Sequence, residues 1–299
     1  MAAKKSGSIE TAMPPLAVLL ALTVFLLFSV LDANAKWLVG SGYAIFFVVW
    51  VRFVLQAVVL FVVYKGWKNR RLWQMNQPVY QVLRGLSLPA MTCFNFLALR
   101  HLQLDETVSV LLAAPIFVAA FAGPFLGEWA GPRRWAAIIV GFVGVLIVVR
   151  PGTDAFTLPV VFIIFSMLSN VAYFLLTRKL AGQETPESLI FYSCFFAVFL
   201  FAPFGLPDAR LPQVPLEYLA FAAVGFSGMI GHMLLIRTSR LVETAKIAPF
   251  IYSQAIWMVA IGYLFFGDVP DIWTFVGMLV ICGSGLYLMY RERQIKKAD

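Results

Sequence analysis

Residues 106–151 read ETVSVLLAAPIFVAAFAGPFLGEWAGPRRWAAIIVGFVGVLIVVRP. The stretch opens on Glu106-Thr107 and runs through an apolar segment interrupted by Pro115. It then passes Gly127-Glu128 and Trp135 and ends in a glycine-studded apolar run from Gly141 to Val149. A second copy starts at Glu243-Thr244, carries Pro249, reaches Gly267-Asp268 and Trp273, and closes on a run with Gly277, Gly283 and Gly285 before Arg291. The copies lie about 140 residues apart in a 299-residue chain, which reads as two halves of one design. One shared dipeptide could arise by chance. Glu-Thr, Gly-acid, Trp and paired glycines in the same order are harder to obtain that way.

Composition says what surrounds those halves. The chain is 61% hydrophobic and 13% charged, with a mean hydropathy of +0.86, whereas soluble domains carry about 25% charged residues. It is therefore expected to be an all-α membrane protein. The net charge of +8 does not point to nucleic acid, because no basic patch is interleaved with stacking aromatics. Cys93, Cys194 and Cys282 sit inside apolar runs without CxxC spacing, so neither a disulfide framework nor a metal site is expected. Met1 to Met13 is polar and precedes a run of full spanning length, so no cleavable signal is expected.

A span needs about 20 apolar residues. Ten helices follow, near 14–38, 43–64, 79–99, 104–126, 135–150, 157–177, 188–206, 216–236, 247–266 and 272–290. They divide into a first repeat, residues 1–152, and a second, residues 153–299. With the N-terminus inside, 17 of the 23 basic residues fall on the inner side and only Lys36, Arg100, Arg150 and Arg210 on the outer. That asymmetry places both termini in the cytoplasm. Five spans per half is odd, so the halves cross in opposite directions, as two inverted five-helix repeats around a central cavity. Trp67, Trp73, Trp129 and Trp135 fall at the inner boundary, where amphipathic rings anchor.

Charge at membrane depth costs at least ~2.5 kcal/mol, so polar positions inside the spans mark a cavity or a partner. In the first helix Ser29, Asp32 and Lys36 share one face, and Asp32 and Lys36 are spaced to neutralise each other. Arg52 in the second helix lies at a depth similar to Asp32, so an Asp32–Arg52 pair is a second expectation. These charges either tie the helices together or form a gate that binds substrate or a proton. In the third helix Tyr80, Arg84, Ser87, Met91 and Asn95 make one stripe. Arg84 is expected to snorkel to the cytoplasm; Ser87 and Asn95 either bond across helices or line the cavity. The sixth helix places Ser166, Ser169, Asn170, Tyr173 and Thr177 on one face. Gly225, Gly228 and His232 align in the eighth, with His232 either a packing residue or a ligand group. Pro249, Ser253 and Trp257, flanked by Tyr252, align in the ninth. Pro115 and Pro249 are read as helix kinks. The fifth and tenth helices, apolar and glycine-rich, are expected to pack outside the cavity.

The run GEWAGPRRWAAIIVGFVGVLIVVRPG (127–152) resembles the end of the first repeat in the drug/metabolite transporter superfamily, EamA type. The run APFIYSQAIWMVAIGYLFFGDVPDIWTFVGMLVICGSGLYLMYRER (248–293) resembles the end of the second, and LDANAKWL and VRF in the first two helices are similar as well. The resemblance implies a ten-helix basket with helices 1–4 and 6–9 around the cavity. It also implies a substrate among amino acids, riboflavin-like molecules, S-adenosylmethionine and sugars, and transfers no binding residue.

The expected function is a secondary transporter in a bacterial-type inner membrane, a monomer or weak homodimer with a small-molecule substrate and no cofactor. The stripes of neutral groups beside Tyr173, Tyr252 and Trp257 favour export of amino acids. The alternative is uptake of an organic cofactor such as riboflavin or S-adenosylmethionine. An enzyme would need a nucleophile–base pair or metal cluster, yet the histidines are His101 in a loop and His232 alone. A scaffold would pair every polar group between helices. Asp32 is read as the one acid well inside a span, held charged by its basic neighbours and so without a part in proton coupling.

Overall fold

A computed structural model describes residues 13–242 and 247–298. Glu243-Thr244, with which the second copy begins, lies outside the described residues, as do Lys4, Lys5 and Lys246. The side chains of Arg240, Arg293, Lys296 and Lys297 are likewise outside what is described.

Ten helices among the described residues are long and apolar enough to cross a membrane. They are α1 (Pro15–Gly40), α2 (Ile45–Val63), α3 (Pro78–Leu99), α4 (Leu104–Leu126), α5 (Pro132–Val149), α6 (Leu158–Leu180), α7 (Pro186–Gly205), α8 (Pro215–Leu241), α9 (Ala248–Phe266) and α10 (Ile272–Ala298). Proline opens α1, α3, α5, α6, α7 and α8 in the first turn. There the missing N–H would have had no helical partner, and the fixed φ suits the turn. Gly127 ends α4 and Gly267 ends α9 with φ of 75° and 71°, left-handed values that glycine adopts without a Cβ clash. The Gly-acid pair of each copy is thus a helix stop.

Two helices are irregular. In α4 the α-helix breaks between Leu104–Leu111 and Ala114–Leu126, and Pro115 sits in the first turn of the second piece. In α9 a 3₁₀ turn, Ala248–Tyr252, holds Pro249 ahead of the α-helical Ser253–Ile261, and a π turn, Gly262–Phe266, follows. Pro89 lies inside α3 and Pro203 inside α7 as well.

The principal helix contacts close a ring in the order α1, α8, α2, α7, α3, α6, α4, α9 and back to α1. Neighbours in the ring always come from opposite halves, so each half needs the other to complete the wall. The pair α5–α10 stands outside and packs on itself. Gly144 faces Ile281, Gly277 faces Val148, and Ser284 Oγ donates to Ala137 O at 2.5 Å across Gly141. Small residues let the two backbones approach where no hydrophobic force against lipid would draw them together.

Candidate substrate site

A bond between two helices that are not neighbours in the ring has to cross its interior, which locates the inward-facing polar groups. Asn95 Nδ2 of α3 donates to Asp32 Oδ1 of α1 at 3.0 Å. Arg52 Nη1 of α2 donates to Thr92 Oγ1 of α3 at 2.5 Å. All four side chains are buried. Asp32 is about 12 Å from the C-terminal end of α1 and Arg52 about 10 Å from the N-terminal start of α2, so they share one depth. The Arg52 guanidinium lies 4.9 Å from the Phe53 ring and 5.8 Å from that of Phe96, which hold it by cation–π attraction.

Both ion pairs expected for Asp32 are corrected. Lys36 Nζ bonds Asp268 Oδ2 at 2.6 Å, 4.9 Å above the Phe266 ring, not Asp32. The stop at Gly267 presents Asp268 at the mouth beside the last turns of α1, and Lys36 reaches it more easily than it reaches back along its own helix. No ion pair joins Asp32 and Arg52; each engages a neutral group of α3.

Arg84 does not snorkel. It is 2% exposed and clamps three helices. Nε donates to Thr177 Oγ1 at 2.9 Å and Nη2 to Tyr173 OH at 2.8 Å, while Nη1 bonds Ser193 Oγ at 3.0 Å and the Leu189 carbonyl. The α6 and α7 acceptors saturate it, so the guanidinium gains nothing by reaching for water. The same clamp takes up the Tyr173 hydroxyl that the neutral stripe of α6 offered.

The serines are mostly satisfied by backbone. Ser87 Oγ donates to Leu83 O, Ser169 Oγ to Phe165 O and Ser253 Oγ to Phe250 O, whereas Ser166 Oγ crosses to Met91 O of α3 at 2.8 Å. Asn170 is half-buried. His232 packs tilted on Phe28 of α1, centroids 5.2 Å apart. Trp257 Nε1 is buried without a hydrogen-bond partner. Tyr252 turns its hydroxyl to the bare backbone of Gly285 in α10, outside the ring. That hydroxyl therefore faces α10 and is not among the inward-facing groups.

Several buried polar groups had no place in the sequence reading. Thr92 was hidden because threonine commonly satisfies itself, and its hydroxyl does donate to Leu88 O at 3.1 Å. Asp105 is 2% exposed with one carboxylate oxygen unpartnered; its neighbour Glu106 makes the capping bond to Gln103 N at 2.7 Å. The adjacent acids in Asp105-Glu106 were the available signal, since one capping acid leaves the other free to turn inward. Gln81 of α3 is buried with both amide ends unpartnered. A groove of about 320 Å³ between α2 and α8, lined by Phe47, Leu55, Tyr218 and Phe226 among others, is wholly apolar and touches none of these groups.

A ring of helices from two inverted halves, with buried polar and charged groups bonded across it, is an architecture that membrane transporters use. The chain belongs to the EamA-like transporter family, which matches residues 15–150 and 157–291, and with it to the drug/metabolite transporter superfamily. It is 26% identical over 269 residues to an S-adenosylmethionine uptake transporter of Rickettsia prowazekii, covering 89% of this chain and 90% of that one. It is 23% identical over 198 residues to a riboflavin transporter of Vibrio cholerae, 65% of each chain. A pseudopaline exporter of Pseudomonas aeruginosa is 24% identical over 192 residues, 64% of this chain and 67% of the relative. A solved crystal structure shares the fold at a TM-score of 0.65 and 18% identity, covering 93% of this chain and 98% of the other. The protein is an integral membrane transporter.

Proposed function

We propose that the protein takes up a charged organic cofactor, S-adenosylmethionine foremost, across a bacterial inner membrane by alternating access, with both termini in the cytoplasm. The observation that carries this reading is the pair Asp32 and Arg52, buried at one depth with no ion pair between them. Burying two opposite charges unpaired is costly unless a ligand completes them. S-adenosylmethionine brings an ammonium, a carboxylate and a sulfonium; the neutral ring system of riboflavin has less use for such a site. The Rickettsia relative, alike over nine-tenths of its length, supports the same substrate. Export of amino acids loses its main argument, because the hydroxyls of Ser87, Ser169 and Ser253 are bonded to their own backbone, and none of the relatives above is an amino-acid exporter. Relatives include both uptake and export proteins, so direction belongs to the proposal as well.

The test is uptake of radiolabelled S-adenosylmethionine and riboflavin into proteoliposomes. Saturable entry of the first and not the second is expected. Saturable entry of riboflavin or amino acids without S-adenosylmethionine would overturn the reading.

A further inference from the structure

We infer that the site grips the α-amino-acid head of its substrate, with the carboxylate on Arg52 and Gln56 of α2 and the ammonium on Asp32 of α1 and Asn95 of α3. The inference rests on the substrate reading above and gives that substrate an orientation. Four buried polar groups of α1, α2 and α3 each use one end and leave the other. Arg52 donates through Nη1 to Thr92, and its Nε is buried without a partner. Gln56 accepts from Cys194 Sγ at 3.7 Å through Oε1, which leaves Nε2 buried and unpartnered. Asn95 spends Nδ2 on Asp32, which fixes the amide and leaves Oδ1 buried and unpartnered. Asp32 Oδ2 accepts from no described residue.

The leftovers sort by element. Both unpaired nitrogens are donors on α2, one turn apart at positions 52 and 56. Both unpaired oxygens are acceptors, on α1 and α3. Unsatisfied buried groups are rare in folded proteins, and a cluster of them calls for a missing partner. That partner has acceptors on one side and donors on the other, as an α-ammonium carboxylate has. A guanidinium offers carboxylate a planar fork, and the Phe53 and Phe96 rings restrain its plane. Each charge of the head would meet its opposite, which removes the cost of burying Asp32 and Arg52 without a pair.

The test compares binding to the purified full chain, by calorimetry, of S-adenosylmethionine, its decarboxylated analogue, 5′-methylthioadenosine and riboflavin. Losing the carboxylate should weaken binding to the wild type by about tenfold or more, in line with leaving a buried donor cluster unpaired. In Arg52→Gln, S-adenosylmethionine should fall to the level of the decarboxylated analogue, whose own affinity should change little. Gln56→Ala should narrow the same gap, and it serves if Arg52→Gln does not fold. Equal wild-type affinity for S-adenosylmethionine and its decarboxylated analogue would sink the head-group site while leaving the substrate reading intact. Riboflavin binding with no S-adenosylmethionine binding would sink both.

Discussion

Gly285 and Tyr252 show how one position is set by its neighbour. A Cβ at residue 285 would stand 1.6 Å from the Tyr252 hydroxyl and 2.6 Å from Cζ of a rigid ring, so Gly285→Ala forces α9 and α10 apart. Overpacking of this kind costs about 1–3 kcal/mol. Thermal unfolding in detergent should show that loss, and Tyr252→Phe in the same chain should recover part of it by removing the nearest atom. A double variant no better than Gly285→Ala would show that the contact is not where the strain lies. From sequence alone Tyr252 joined the presumed cavity face of its helix, since periodicity gives faces and not the partners they meet. Arg84 was misread for a related reason: snorkelling is judged from distance to the helix end, but acceptors on two other helices decide where a guanidinium goes. Arg84→Lys should therefore not substitute for it. A point charge cannot hold Thr177, Tyr173 and Ser193 together, and a loss of about 2–4 kcal/mol in unfolding stability is expected. Near-native stability of that variant would refute the clamp.

The Gly-acid stops act at the scale of the element. Each ends the fourth helix of its half and hands a carboxylate to the first helix of the other. Glu128 meets Arg178 of α6 at 2.5 Å and Asp268 meets Lys36 of α1 at 2.6 Å. The repeat was legible in the sequence; the exchange of carboxylates was not, because nothing in either copy names its partner. The two bridges differ in exposure, with side chains 47% and 47% exposed in the first against 17% and 14% in the second. Exposed pairs contribute about 0–1 kcal/mol and are screened by salt. Glu128→Gln should change transport little, and less still at high ionic strength, whereas Asp268→Asn should slow it severalfold at any salt. Equal effects with equal salt dependence would remove the distinction. A third clasp, Arg150 Nη2 to Asp271 Oδ2 at 2.6 Å, joins the end of α5 to the start of α10. Partial burial works against the Asp271 charge, but hydrogen bonds from Thr274 and then Arg150 hold its carboxyl below the ordinary range. A lowered folded value means the clasp stabilises fully above the ordinary carboxylate range and fades as pH falls below it. Asp271→Asn should thus narrow its deficit from wild type in thermal unfolding as the pH is taken below about 4. A deficit unchanged down to pH 2 would show that the charge is not what Asp271 contributes.

For the whole molecule, ten spans in two halves were legible because hydropathy and repeat period are written along the chain. The ring order was not. Which helix of one half lies beside which of the other is fixed by contacts between residues a hundred or more positions apart, such as Asn76 Nδ2 with the Gln183 carbonyl at 2.6 Å or Tyr43 with Glu217 at 2.7 Å. The interleaving of halves does constrain orientation, since every odd-numbered loop of one half must then share a side with the even-numbered loops of the other. The proposed direction rests on seventeen basic residues against four, because Lys and Arg are retained on the cytoplasmic face. On the proposed orientation the 64–77 segment, with exposed Lys68 and Trp67, is cytoplasmic, and the 206–214 segment, with exposed Asp208, is external. In a chain with Cys93, Cys194 and Cys282 replaced, Lys68→Cys should react with an impermeant maleimide only after the membrane is opened. Asp208→Cys should react in intact cells. The reverse pattern would invert the whole protein, and labelling of both from one side would break the alternation of the ten helices.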